Sequence, residues 1–258
     1  MKRILLLLLA APALSFAGSP IDGTWVADLG SAKLPEKPDV MAFDKGWYDC
    51  KSCIPAIHVK ADGTDQPVTG HAYYDTIAVQ VPDAKTVVVT AKKAGKLMYV
   101  DTNMLAADGA SMTDSFEDHT ESAPITGKAM AVRVAAGPAG AHALSGSWRT
   151  TQITNMTQNA LTDTVHVTDK GMSLRDGNGT GYDAQFDGKD YPMVGDVGHT
   201  LVSVKHIDDR TIEETDKRDG KVVAVIRVSV APDGKTAQFV MHDQRNGTTT
   251  TFTLRKQS

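Results

Sequence analysis

Cysteine is nearly missing from this 258-residue chain: only Cys50 and Cys53 occur. Two thiols cannot hold a disulfide-dense scaffold, so packing must supply most of the stability. Long basic runs are missing as well. Asp and Glu outnumber Lys and Arg by 31 to 27, a net charge of −4, which argues against nucleic acid as a partner. No stretch of the chain keeps a helical period. The apolar run Ile4 to Ala11 is too short to span a bilayer, so no membrane span is expected. His-x-x-x-His, His-Glu-x-x-His, Gly-x-Ser-x-Gly, Ser-x-x-Lys and the phosphate-cradling glycine loop are all lacking. No catalytic residue, cofactor or metal is assigned on this basis, although a triad assembled from distant residues would leave no such motif.

Residues 1–17 have the form of a secretory signal. Lys2 and Arg3 precede the apolar run, and Ser15-Phe16-Ala17 places small residues at the cleavage-recognition positions. The expectation is a secreted or periplasmic protein. Loss of Lys2 and Arg3 takes the net charge from −4 to −6. About 240 residues remain, enough for two domains with modest cores.

The mature chain contains one plan twice. Asp62-Gly63, Pro67, Gly70, Val79, Thr86, Gly95-Lys96 and Asp108-Gly109 align with Asp187-Gly188, Pro192, Gly195, Val204, Thr211, Gly220-Lys221 and Asp233-Gly234 at a constant offset of 125 (187 − 62). The first copy opens at Gly23-Thr24-Trp25 and the second at Gly146-Ser147-Trp148. The run at 135–143, Ala136-Gly137-Pro138-Ala139-Gly140 within it, has too little bulk for a core strand. It reads as a linker between a first repeat, 18–134, and a second, 144–258.

Within the copies the hydrophobic period is two. Val222, Ala224, Ile226, Val228 and Val230 fall on one face of a strand, with Arg227 and Ser229 on the other. Further strands are expected at 201–207, 211–215, 237–241 and 248–254, separated by Asp208-Asp209, Asp219-Gly220, Asp233-Gly234 and Asn246-Gly247. Connections this short make antiparallel neighbours. The fold class is all-β: two tandem antiparallel up-and-down β-barrels, with a pair of open β-sandwiches as the alternative.

At the ends of each copy the chain resembles the calycin superfamily, the lipocalins and fatty-acid-binding proteins. The resemblance rests on Gly-x-Trp at the first strand and a basic residue on the last: Gly23-Thr24-Trp25 with Arg133, and Gly146-Ser147-Trp148 with Arg255. It implies that Trp25 lies under Arg133 and Trp148 under Arg255, each pair closing a barrel floor by cation–π stacking. The copies are short for that family and carry none of its other motifs. The chain also resembles small bacterial exported domains of unassigned role built on an Asp-Gly-x-Asp-x-Pro-x-x-Gly box.

Cys50-Lys51-Ser52-Cys53 is expected to be a disulfide clamping a hairpin tip, opposite the Asp176-Gly177-Asn178-Gly179 turn of the second copy. Competing readings are a redox pair, which would need a helix N-terminus, and a zinc set completed by His58 and His71, whose spacing fits no common finger. Asp176 to Asp187 partly matches a calcium loop but lacks Glu at its end, so a hairpin turn is expected. Glu213, Glu214 and Asp216 cluster where the first copy has Val88, Val89 and Ala91, and Lys217, Arg218 and Asp219 follow. They read as a solvated strand end, and the substitutions imply lumens of different polarity. Asn155, Asn178 and Asn246 stand in glycosylation acceptor patterns, which matter only on a eukaryotic export route.

The function expected from all this is an exported, non-enzymatic binding protein that holds a small apolar ligand in a barrel. The alternative is a structural or protein-interaction module of the envelope with filled barrels and no ligand.

Overall fold

The computed structural model describes residues 18–257; the signal expected at 1–17 lies outside the described residues. Within them the chain forms strands and a single 3-10 turn, Gln158–Ala160. In chain order the strands are β1 (Gly23–Lys33), β2 (Asp39–Asp44), β3 (Trp47–Cys50), β4 (Ile57–Lys60), β5 (Gln66–Pro67), β6 (Thr76–Asp83), β7 (Thr86–Lys93), β8 (Lys96–Leu105), β9 (Ser111–Asp118) and β10 (Ile125–Ala136). They continue with β11 (Gly146–Thr154), β12 (Thr162–Val167), β13 (Gly171–Asp176), β14 (Gly181–Gln185), β15 (Tyr191–Pro192), β16 (Leu201–Asp208), β17 (Thr211–Arg218), β18 (Lys221–Val230), β19 (Thr236–Asp243) and β20 (Thr248–Lys256).

Turn chemistry sets the hairpins. Ala94 and Gly95, at φ 50° and 79°, join β7 to β8, while Asp219 and Gly220, at 49° and 73°, join β17 to β18. Two successive residues at positive φ make the tight turn whose twist suits antiparallel strands. Just beyond each turn the pairing slips by one residue, between Ala91 and Lys92 in one copy and between Asp216 and Lys217 in the other. The slip turns Val222 outward to 41% exposure, so it leaves the face formed by Ala224, Ile226 and Val228.

Two ten-stranded antiparallel sheets result, each curled into a nearly closed barrel. The first runs β4-β3-β2-β11-β10-β9-β8-β7-β6-β5, and the second β14-β13-β12-β1-β20-β19-β18-β17-β16-β15. The gap in the second barrel is bridged by Gly181 and Val194, whose backbones exchange hydrogen bonds of 3.1 and 2.7 Å. Each barrel encloses its own apolar cluster.

The sheets do not follow the sequence repeats. β1, the opening strand of the first copy, lies between β12 and β20 in the second barrel. β11, the opening strand of the second copy, lies between β10 and β2 in the first. The run at 135–143, read as a linker, is therefore a connection inside the first barrel, which spans β2 to β11 without a break. Neither opening strand is followed by a tight hairpin: Leu34-Pro35-Glu36-Lys37-Pro38 after β1 holds two prolines, which favour extended backbone, and residues 155–161 after β11 hold the 3-10 turn.

Candidate functional site

Each barrel floor is an indole under a cation, but the partners differ from those implied by sequence. Trp148 is covered by Arg133, whose guanidinium carbon is 4.1 Å from the ring centroid, and Trp25 is covered by the Lys256 ammonium at 5.3 Å. Trp25 does not meet Arg133, because β1 has crossed to the other barrel. Arg255 points outward and pairs with Asp28 at 2.7 Å. Lys256 stands 108 residues after Trp148 (256 − 148), the same interval that separates Arg133 from Trp25 (133 − 25). That exact match was the available signal. Both indoles are almost fully buried, at 1% and 2% exposure, and donate Nε1–H to Leu144 O and Ile21 O at 2.8 Å.

Above the Trp25 floor the second barrel encloses a cavity of about 200 Å³. Ile226 and Val228 of β18, Phe239 of β19 and Leu254 of β20 form one wall, and Phe239 stacks on Phe252 at 4.3 Å. Met172 and Leu174 of β13 face them. Alternation on the strands aims these residues inward. Three groups on the wall are ionisable: Asp163 of β12, Tyr182 of β14 and Glu214 of β17. The Tyr182 hydroxyl donates to Glu214 Oε2 at 2.6 Å.

Glu214 is 9% exposed, which overturns its reading as part of a solvated strand end. The neighbouring Glu213 does fit that reading, since it pairs outward with Arg227 at 2.6 Å. Burial, then the charge of Asp216, push the Glu214 carboxyl well above the usual carboxylate range. Burial raises Asp216 as well, and its Oδ1 is buried without a hydrogen-bond partner. Asp163 is pushed up to about 6 by burial and by Asp176, its partner across β12 and β13.

The first barrel places its polar groups on other strands. Asp101 and Asn103 on β8 and Asp114 on β9 hold places whose second-copy counterparts, 125 residues on, are Ile226, Val228 and Phe239. Where the second barrel has Glu214 and Asp216, the first has Val89 and Ala91, inside its apolar cluster or buried. The two interiors thus differ in polarity as the substitutions implied, each acidic where the other is apolar. Burial and Asp118 push Asp101 up to about 6, and burial and Asp101 push Asp114 up to about 7. Tyr48 stacks on Phe43 at 4.9 Å, and Tyr74 meets Tyr99 edge to face at 6.2 Å. Tyr182, Asp163, Asp101 and Asp114 are not singled out by sequence reasoning. Their only signal was the alternation of the strands that carry them.

The remaining candidates resolve simply. Cys50 and Cys53 form a disulfide, Cα to Cα 5.4 Å, across the β3–β4 hairpin tip. Of the other residues weighed for zinc, His58 accepts or donates a 2.6 Å hydrogen bond with Asp49 and stacks on Trp47, and His71 stacks on Tyr74. Asp176 Oδ1 accepts from Asn178 N and Thr180 N at 2.8 and 2.9 Å, which makes the 176–180 segment a capped hairpin turn. Asp187 caps a separate turn through Lys189 N. Among the described residues no group of three or more His, Cys, Asp or Glu side chains is placed to hold a metal ion, and no helix is long and apolar enough to cross a membrane.

The barrels touch at their mouths. Tyr73 of the first lies under Arg218 of the second at 4.8 Å, and Lys93 donates to Ala72 O at 2.5 Å and to Val197 O at 2.8 Å, one carbonyl from each barrel. Gly198 faces the Tyr73 ring, where a Cβ would sit 2.7 Å from it. Arg218, the cation near the acidic wall, is held at this seam by Tyr73 and by Thr200 Oγ1 at 2.9 Å. Comparison with protein-family models and with curated proteins finds no match for this chain.

Proposed function

We propose that this chain is an exported, non-catalytic binding protein of calycin type whose second barrel encloses one small, mostly apolar molecule. The observation that carries the reading is the cavity above Trp25, about 200 Å³ and walled mainly by hydrocarbon. An apolar void of about 150 Å³ accepts benzene, so this one suits a guest somewhat larger. A closed barrel of this class has room for one such molecule. The Gly-x-Trp strands with a cation over each indole support the calycin likeness. The disulfide and the form of residues 1–17 support export.

Indole provides the test, being small, apolar and uncharged. At about one hundred times its Kd it raises stability by roughly 2.7 kcal/mol, read as a higher thermal midpoint. Val228→Trp fills the cavity and abolishes that rise. A midpoint that indole leaves unchanged, together with native mass spectra free of any retained small molecule, would favour the filled-barrel interaction module instead.

A further inference from the structure

The ionisable groups on the wall of the cavity are all acids. Asp163, Tyr182 and Glu214 approach from three strands, and among the described residues no Lys, Arg or His lines the space. The other polar group present, the Trp25 Nε1–H, is already donated to Ile21 O, and the Tyr182 hydroxyl hydrogen is committed to Glu214. Asp216, two residues along the same strand face as Glu214, and Asp176, paired with Asp163, add further acids beside them. Two cations stand near but neither lines the space: Lys256 lies over the Trp25 indole with its ammonium donated to Pro20 O at 3.0 Å, and Arg218 is held at the seam between the barrels.

A carboxylate guest entering this space meets buried acids and no counter-charge. A plain hydrocarbon leaves the acidic end unused. A protonated amine supplies three donors and a compensating charge where burial makes an ionised Glu214 costly. We infer that the second barrel takes a small cationic amphiphile, its ammonium against Glu214 and Asp163 and its apolar body against Ile226, Val228 and Phe239. This rests on the binding reading above and adds the ligand's chemical class. Relative to benzene in about 150 Å³, the volume of about 200 Å³ sets the guest at roughly eight non-hydrogen atoms.

Three probes of matched size separate the possibilities by calorimetric titration of the full chain at neutral pH: 2-phenylethylamine, 2-phenylethanol and phenylacetate. The amine is expected to bind about tenfold or more tighter than the alcohol, in line with hydrogen bonds to charged groups, and phenylacetate weakest. Glu214→Gln, which keeps an acceptor for Tyr182, brings the amine to within about twofold of the alcohol. Asp163→Asn serves as a second variant and lowers the ratio of amine to alcohol affinity. Val228→Trp abolishes binding of amine and alcohol together. Alcohol binding equal to or tighter than amine binding, or phenylacetate binding tightest, overturns the amine assignment and leaves the binding reading in place. Amine binding that survives Val228→Trp places the amine on surface acids and also overturns the assignment. Failure of all three probes to bind overturns both readings.

Discussion

Replacing Asp114 with Asn should stabilise the protein at alkaline pH and leave it unchanged in acid. Asp114 lies on β9 between Asn103 and Ala129, with Oδ1 buried and lacking a hydrogen-bond partner. Burial and the charge of Asp101 raise its pKa from 3.8 to about 7. Because the folded value exceeds the unfolded one, the folded state holds its proton longer. Stability is therefore complete below about pH 4 and falls as pH rises through the folded value, at about 1.4 kcal/mol per pH unit for one group. A rise of about three units corresponds to roughly 4 kcal/mol lost by pH 8. Asp101 shares part of that penalty, since each acid raises the cost of ionising its neighbour. Asp114→Asn should accordingly recover about 2 to 4 kcal/mol at pH 8 and almost nothing at pH 4. Urea unfolding of both proteins at the two pH values, followed by tryptophan fluorescence, measures the difference. A wild-type stability that is flat or rising between pH 4 and pH 8, with no gain from the substitution at pH 8, would refute the reasoning.

The two candidate floor arginines should behave differently. Arg133→Met removes the cation over Trp148 and hydrogen bonds to Gly109 O, Ser145 O and Ala143 O, and should cost about 2 to 5 kcal/mol in urea unfolding. Arg255→Met breaks only an exposed pair with Asp28 and should cost under about 1 kcal/mol; a larger cost for Arg255 would restore the pairing suggested by sequence. A chain lacking residues 18–34 should keep the first barrel and expose unpaired edges on β12 and β20. A synthetic peptide of 18–34 should bind it with an emission shift from its Trp25 indole. No binding, or collapse of the first barrel on truncation, would argue against the exchanged strand.

The strands and their turns were legible because their causes are local. Asp219-Gly220 makes its hairpin by backbone conformation alone, and the alternation Ala224, Ile226, Val228 needs only the pleat. Partnering across the chain was not legible. A repeat compares residues with their counterparts, whereas a sheet is built from whichever strands the connections allow to meet, and the connections at 34–38 and 155–161 carry β1 and β11 each to the strands of the other copy. The buried acids were obscured for another reason. Glu214 sits four residues from the surface charge of Arg218, and the register slip that separates their environments leaves no mark in composition. The disulfide was legible, because Cys50 and Cys53 have no thiol competitors and oppose a glycine-rich turn in the other copy.

The route of β1 also orders events during synthesis. β2 through β11 follow one another in the chain, so the first barrel has every strand it needs once little more than half the chain exists. The second has to wait: Val26 pairs with Arg255, which joins one of the earliest residues made to one of the last. Until then the strand carrying Trp25 can pair along one edge alone, with β12 through Gly23 to Val26, and its other edge waits for β20. Such distant closure is slow, and it makes the arrival of the final strand the step that seals the cavity.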